Sequence, residues 1–163
     1  MSTQNLAELP DRLPTLLDVE DSDAGLAACL EAIATSFEAV TATLHRMDSD
    51  GAFLLLAASR GLPEQVLPMT QKIPVGKGMA GLCAERREPV TVCNIQTDDS
   101  GTARAGARQT GAGGGIVVPV LADDGAVAGT LGVGKAGEHD YTDLETEVLQ
   151  KCAAGLRQAL TSN

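Results

Sequence analysis

Aromatic residues are nearly absent from this chain of 163 residues: they make up 2% of it, and there is no tryptophan. Alanine, valine, leucine and glycine must therefore build the core, and the length predicts one domain large enough to bury one. Basic residues are also few. The net charge of −10 argues against nucleic acid or an anionic membrane as the main partner.

Long apolar runs are missing as well. No stretch approaches the ~20 apolar residues of a membrane-spanning helix, and residues 1–17 lack the basic start and apolar centre of a signal peptide. We therefore expect a soluble protein of the cytoplasm that binds neither membranes nor nucleic acid.

The cysteines are few and far apart, with neither a CxxC pair nor a histidine at zinc-binding spacing. They are Cys29, Cys83, Cys93 and Cys152. Each lies in an apolar stretch, which is typical of a small buried hydrophobe. A redox role is the alternative, and no metal site is predicted.

The most informative stretch runs from Ile73 to Asn94 and reads IPVGKGMAGLCAERREPVTVCN. Two short apolar runs flank Gly76 and Gly78, which permit a sharp turn. The residues that follow have helical spacing, so the pattern predicts strand, glycine turn, short helix and strand. Unpaired N–H groups at the start of that helix can hold a small anion or polar ligand. A tight turn without a ligand is the alternative.

Strands on either side of this stretch predict a cavity. In Val40–Met47, Thr41, Thr43 and His45 alternate with apolar residues, so one face of the strand is polar. The segments Gly115–Leu121 and Ala126–Lys135 form a hairpin around an Asp-Asp-Gly turn. One face of its second strand, which includes Thr130, is almost bare of side chains, leaving room for a ligand or for close packing.

Amphipathic helices are predicted at both ends of this region. Residues 22–39 follow the N-cap candidates Asp21 and Ser22, and Thr142 to Glu145 form a capping box that opens a helix reaching Leu160. Residues 1–21 form an acidic N-terminal extension. Because it carries Pro10 and Pro14, we do not expect a continuous helix there; it either docks on the domain or a partner, or stays loose.

A polar, glycine-rich segment between Asn94 and Gly115 is too long for a simple turn. We expect a short helix around Thr102–Gln109 that acts as a lid. Arg104 and Arg108 lie four residues apart there and would share a face. They indicate an anionic ligand, or simply a solvated helix face.

These pieces, in this order, resemble a GAF domain, a small sensory module. The resemblance rests on IPVGKGMAG followed by EPVTV, on VTATLHRM, on the GIVVPVL and GAVAGTLGVGK hairpin, and on the closing helix. It implies one α+β domain over residues 22–161. A central antiparallel sheet of five or six strands would carry the N- and C-terminal helices on one face and the lid and short helix on the other. The apolar stripes of the two helices are wider than one sheet face needs, and in this family such terminal helices often pair two copies. We therefore expect a homodimer built on Leu26–Phe37 and Leu144–Leu160.

Particular subclasses of the family fit less well. The free methionine-(R)-sulfoxide reductases need a nucleophilic and a resolving thiol, carboxylates for the substrate and an aromatic cage. Those family positions fall here on Ala80, Gly115, Gly132, Gly134, Thr41 and His45. The cyclic-nucleotide signature is not matched after Asn94, and only His45 and His139 are available to a haem.

We therefore predict a non-catalytic, small-molecule-sensing module that signals through dimerisation or a partner protein. A reductase-like enzyme and a ligand-free scaffold are the alternatives. We expect a neutral or anionic ligand, because none of the predicted site residues is a carboxylate and because the family includes a standalone nitrate receptor of this sensing type. No cofactor can be named. The predicted ligand-binding residues are Thr41, Thr43, His45, Gly78, Met79, Ala80, Gly81, Arg104, Arg108 and Thr130.

Overall fold

The structure is a computed structural model that describes residues 3–103 and 105–161. Its helices are α1 (Thr3–Leu17), α2 (Ser22–Phe37), α3 (Leu67–Thr70), α4 (Gly78–Arg86), α5 (Ala105–Arg108) and α6 (Asp143–Thr161), and a 3-10 turn at Glu64–Val66 precedes α3. Its strands are β1 (Thr41–Met47), β2 (Phe53–Arg60), β3 (Lys72–Pro74), β4 (Val90–Val92), β5 (Gly115–Leu121) and β6 (Val127–Gly134). Within the described ranges, no helix combines the length and apolar character needed to cross a membrane.

The strands form one six-stranded sheet in the order β3-β2-β1-β6-β5-β4. Every neighbouring pair is antiparallel. In the central pair, Thr41 lies opposite Gly134, Thr43 opposite Gly132 and His45 opposite Thr130. The predicted α+β class and antiparallel sheet are confirmed.

The two faces of the sheet are covered differently, as predicted. Helices α1, α2 and α6 pack on one face and enclose the main core with apolar residues of β1, β5 and β6. Helix α4 and the lid segment lie on the other face, where two smaller clusters centre on Cys83 with Val117 and on Ile95 with Ala112. The first face is therefore a packed core, and the second leaves room for a cavity.

Both long helices begin as their sequences predict. The Asp21 carboxylate accepts hydrogen bonds from the N–H groups of Asp23 and Ala24, at 3.0 and 3.3 Å. At α6 the capping box is reciprocal. The Thr142 N–H donates to the Glu145 carboxylate at 2.9 Å, and the Glu145 N–H donates to the Thr142 hydroxyl at 3.1 Å. These contacts satisfy first-turn donors that would otherwise lack a partner.

The expectation of no continuous helix before residue 22 is wrong, since α1 runs unbroken through Pro10 and Pro14. An interior proline costs about 3 kcal/mol. Full burial of a leucine contributes about 1.5–3 kcal/mol, and α1 buries Leu6, Leu9 and Leu13 against α2 and α6. Tertiary packing therefore offsets the local penalty. Of the alternatives raised by the sequence, the segment docks on the domain.

Helix α1 also covers the surface on which we predicted a homodimer. The apolar stripe of α2 is buried inside a single chain, with Leu30 and Ile33 at 0% exposure. The stripe of α6 is buried in the same way, at Val148, Leu149 and Leu156. Its residue Leu144 is 36% exposed. The extra width of the stripes thus accommodates α1. The homodimer remains a prediction.

Candidate ligand-binding site

A cavity of about 560 Å³ lies between the sheet and the segments that cover its second face. The floor comes from β1, β5 and β6. The walls come from α3 and β3 on one side, the start of α4 on another, and the lid around α5. Most of the lining is apolar, with hydroxyls, one imidazole and two lysines among it, which is the usual composition of a small-molecule site.

Six of the predicted site residues line this one cavity: Thr41, Thr43, His45, Gly78, Met79 and Ala80. The strand residues arrive by alternation along β1, and the others form the first turn of α4. Three further predicted residues, described below, do not line it. Arg104 lies outside the described residues.

The three exceptions have other surroundings. Gly81 lets α4 approach β3, because a Cβ there would lie 2.4 Å from the Pro74 carbonyl oxygen. Arg108 donates to the carbonyl oxygens of Ile95 and Asp98 and so ties the lid to the preceding loop. Thr130 is 1% exposed and sits opposite His45 in the strand pairing.

Glycines of β6 leave space at the cavity floor for side chains from the neighbouring strand. A Cβ at Gly134 would lie 2.7 Å from the Thr41 hydroxyl and 2.9 Å from the Ala112 methyl, and one at Gly132 would lie 3.3 Å from the Thr43 hydroxyl. The bare face predicted for β6 is therefore occupied by threonine side chains from β1. This close packing brings both hydroxyls to the floor.

His45 is the most deeply placed polar group of the cavity, at 2% exposure. Its Nε2 lies 2.8 Å from the Thr70 carbonyl oxygen. Burial lowers the pKa of the imidazole below its usual value, and the bond to Thr70 opposes this effect. His45 Nδ1 and the Thr130 hydroxyl, two buried atoms in the described part of the chain, have no hydrogen-bond partner. Such atoms are rare in folded proteins.

The glycine turn before α4 has the geometry that its sequence predicts. Gly76 and Gly78 take positive φ values of 91° and 69°, and the Gly76 N–H donates to the Gly81 carbonyl at 2.8 Å. The residue between the glycines, Lys77, is the N-cap of α4, and its side chain makes no capping hydrogen bond. Lysine has no acceptor atom, so it cannot satisfy the first-turn amides.

The sequence reasoning missed two cations of the lining, Lys72 and Lys77. The Lys72 ammonium sits 4.2 Å from the centre of the Phe53 ring. Lys77 carried a usable signal: it stands between two turn glycines, where serine or aspartate commonly caps a helix. No aspartate or glutamate belongs to the described lining, so its formal charge is positive in an acidic chain.

The thiols of Cys83 and Cys93 have raised pKa values. Burial raises the pKa of Cys83 to about 12. Cys93 is exposed, which corrects the expectation that all four cysteines are buried. The strand β4 ends one residue earlier, and the thiol donates to the Glu138 carboxylate at 3.4 Å. Hydrogen bonds to the Asp140 and Glu138 carboxylates, together with the negative charge of both groups, raise the pKa of this thiol to about 11.

The described residues bring no set of metal ligands together. Across residues 3–103 and 105–161, no group of three or more histidine, cysteine, aspartate or glutamate side chains could hold a metal ion. The described lining offers hydrogen bonding, apolar contact and attraction of negative charge.

The fold is shared with several solved structures. The GAF domain of a phosphoenolpyruvate-protein phosphotransferase from Coxiella burnetii superimposes with a TM-score of 0.83 at 17% identity, over 99% of this chain and 95% of that one. The corresponding GAF domain from Acinetobacter gives 0.79 at 19% identity, over 99% and 95% of the two chains. At these identities the likeness concerns the fold alone.

An enzyme is also among the similar structures. Free methionine-R-sulfoxide reductase from Neisseria meningitidis, solved with its substrate, gives a TM-score of 0.76 at 22% identity, over 94% of this chain and 86% of that one. No curated protein matches the sequence. The family model described as GAF domain matches residues 20–161, and the chain therefore belongs to the GAF domain family.

Proposed function

We propose that this GAF domain is a non-catalytic module that binds a small neutral or anionic molecule in the cavity beneath the lid. The observation that supports it most is the cavity itself. It joins an apolar wall to a few convergent polar groups, and the described lining holds no carboxylate. A cation would find no counter-charge there.

Binding would reach the rest of the molecule through the segments that wall the cavity. The His45 ring on the central strand contacts Thr70 at the end of α3. Gly106 on α5 is close enough to Met69 that an added Cβ would lie 3.4 Å from its sulfur. A ligand between these groups would bias α3 and α5 together. In this proposal the signal passes to a partner protein or changes a homodimer. The protein would act in the cytoplasm, because its free cysteines suit a reducing compartment.

The test is a thermal-shift screen of metabolites on the full chain. A molecule that binds only the folded state raises the melting temperature, by an amount that grows with its concentration over Kd. We expect at least one neutral or anionic compound to do so, and the shift to shrink in Thr43→Val, which keeps the shape of the floor and removes a hydroxyl. If nothing in a broad screen stabilises the chain, the domain is a scaffold.

The same protein tests the enzymatic alternative. We expect no reduction of free methionine-R-sulfoxide above background with a thiol donor, because neither Cys83 nor Cys93 is a thiolate near neutral pH. Turnover that disappears in Cys83→Ser or Cys93→Ser would contradict the non-catalytic assignment.

A further inference from the structure

The His45 ring has a defined protonation pattern. A carbonyl oxygen only accepts hydrogen bonds, so Nε2, at 2.8 Å from the Thr70 carbonyl, must carry the proton. Burial lowers the pKa of the ring and so favours its neutral form, in which the second nitrogen, Nδ1, is a bare acceptor. It is buried and has no partner in the described structure, while the ring lines the cavity. The atom that completes this site is a hydrogen-bond donor.

The start of α4 has the opposite requirement. Gly78, Met79 and Ala80, the first turn of the helix, line the cavity. The positive end of a helix favours negative charge, yet the N-cap is Lys77, a cation without an acceptor. Glu85, whose carboxylate approaches Gly76, does not line the cavity. The group that completes this end is an anion.

Much of the remaining lining is apolar. It includes Ile73, Met79, Ile95 and Val117, beside the Thr41 and Thr43 hydroxyls of the floor. The other lysine of the lining, Lys72, holds its ammonium 4.2 Å from the centre of the Phe53 ring, which leaves Lys77 as the cation at the helix start. One negative charge therefore suits the site better than two, because burying charge without full pairing is costly.

We propose that the ligand of this cavity is a small organic monocarboxylate with an apolar body and one further O–H or N–H donor. The carboxylate lies at the start of α4 beside Lys77, and the donor meets Nδ1 of His45. This inference rests on the proposed sensing function and narrows it to one chemical class.

The experiment is calorimetric titration of the full chain with hydroxy acids of graded length: 4-hydroxybutanoate, 6-hydroxyhexanoate, 4-hydroxyphenylacetate and 3-(4-hydroxyphenyl)propanoate. Each is compared with the same acid lacking the hydroxyl and with its methyl ester. For the best-fitting length, we expect loss of the hydroxyl to weaken binding about three- to tenfold and esterification about ten- to a hundredfold.

Two variants of His45 test the roles of its two ring nitrogens one at a time. In His45→Gln the side-chain amide can still donate to Thr70 but offers nothing at the Nδ1 position, so the hydroxy and deoxy acids should bind equally. In His45→Asn the amide oxygen replaces Nδ1, so part of the preference for the hydroxy acid should return. The ligand series on the unaltered chain decides the question by itself if a variant does not fold.

Lys77→Gln tests the anionic end. We expect it to remove most of the difference between acid and ester, whereas Lys151→Gln, the same charge change on the far face of the molecule at a side chain 62% exposed, should leave that difference intact.

Two results would overturn the proposal. One is failure of every acid in the series to bind. The other is binding that does not respond to the hydroxyl or the charge. Either result leaves the sensing function standing if the thermal-shift screen finds a ligand of another class, such as a purely apolar molecule, and both proposals fail if that screen is empty.

Discussion

The two faces of the sheet differ in how closely side chains are packed against them. On the helical face, leucines from three helices meet apolar strand residues, and the leucines that form this core are almost completely buried. On the cavity face, glycines and threonines form the floor, and two buried polar atoms in the described residues have no partner. One side of the same strands is filled, and the other is left open.

This difference separates stability from function. A well-packed interior gains from every apolar atom it removes from water, while an unsatisfied buried acceptor costs free energy. The unpaired atoms of His45 and Thr130 therefore lower the free energy of unfolding, which the packing of the helical face raises. His45 lines the cavity, and a feature that weakens a fold at a cavity is typical of binding sites.

The largest loss of stability is expected when α1 is removed from the helical face. Deleting residues 1–20 would expose the leucines of α2 and α6 to water, and we expect the free energy of unfolding to fall by about 2–5 kcal/mol, as for the loss of buried leucines. Denaturant unfolding measures the loss. A thiol reagent provides a second measurement, because the Cys29 thiol lies 3.8 Å from the Leu13 carbonyl and should react only after α1 has gone.

A truncated chain of unchanged stability, with Cys29 still protected, would show that α1 contributes little to this face.

The same pair of proteins tests the homodimer. If dimerisation uses the α2 and α6 surface, light scattering should show tighter association of the truncated chain than of the full one. Dimers of equal strength would place the interface elsewhere.

Much of the architecture follows from local sequence signals. Alternation in β1 correctly placed Thr41, Thr43 and His45 on one face, and the capping residues correctly placed the starts of α2 and α6. These features depend on neighbours a few residues away, so the sequence contains what determines them.

The features that the sequence did not reveal depend on distant contacts. Pro10 and Pro14 argue against a helix until the burial of Leu9 and Leu13 is known. Arg108 was predicted to reach the ligand because its charge is visible in the sequence, but its partners are backbone carbonyls, whose direction depends on the loop fold. Spacing alone cannot tell which cations of a chain line a cavity.

The cavity face can be tested by filling its floor. Gly134→Ala would place a methyl group 2.7 Å from the Thr41 hydroxyl and 2.9 Å from Ala112. We expect a loss of about 1–3 kcal/mol, as for other overpacked sites, together with weaker ligand binding. Gly137→Ala is the matched control, since its Cβ would have no neighbour within 4 Å. Equal unfolding midpoints for the two variants would show that the floor has room to spare.

The smallest effect is expected at Glu145, on the first turn of α6. Burial tends to raise the pKa of this carboxyl, but the Thr142 N–H, His139 and Lys135 together lower it below its ordinary value. A lowered carboxyl pKa stabilises the fold above the unfolded-state value, and this contribution is lost as pH falls through the folded-state value. Glu145→Gln should therefore cost about 1 kcal/mol near neutral pH, comparable to the loss of a helix cap. The difference from the parent chain should shrink below about pH 4.5. Urea unfolding of both proteins at several pH values measures this, and a difference that stays constant down to pH 3 would show that the carboxylate charge contributes nothing.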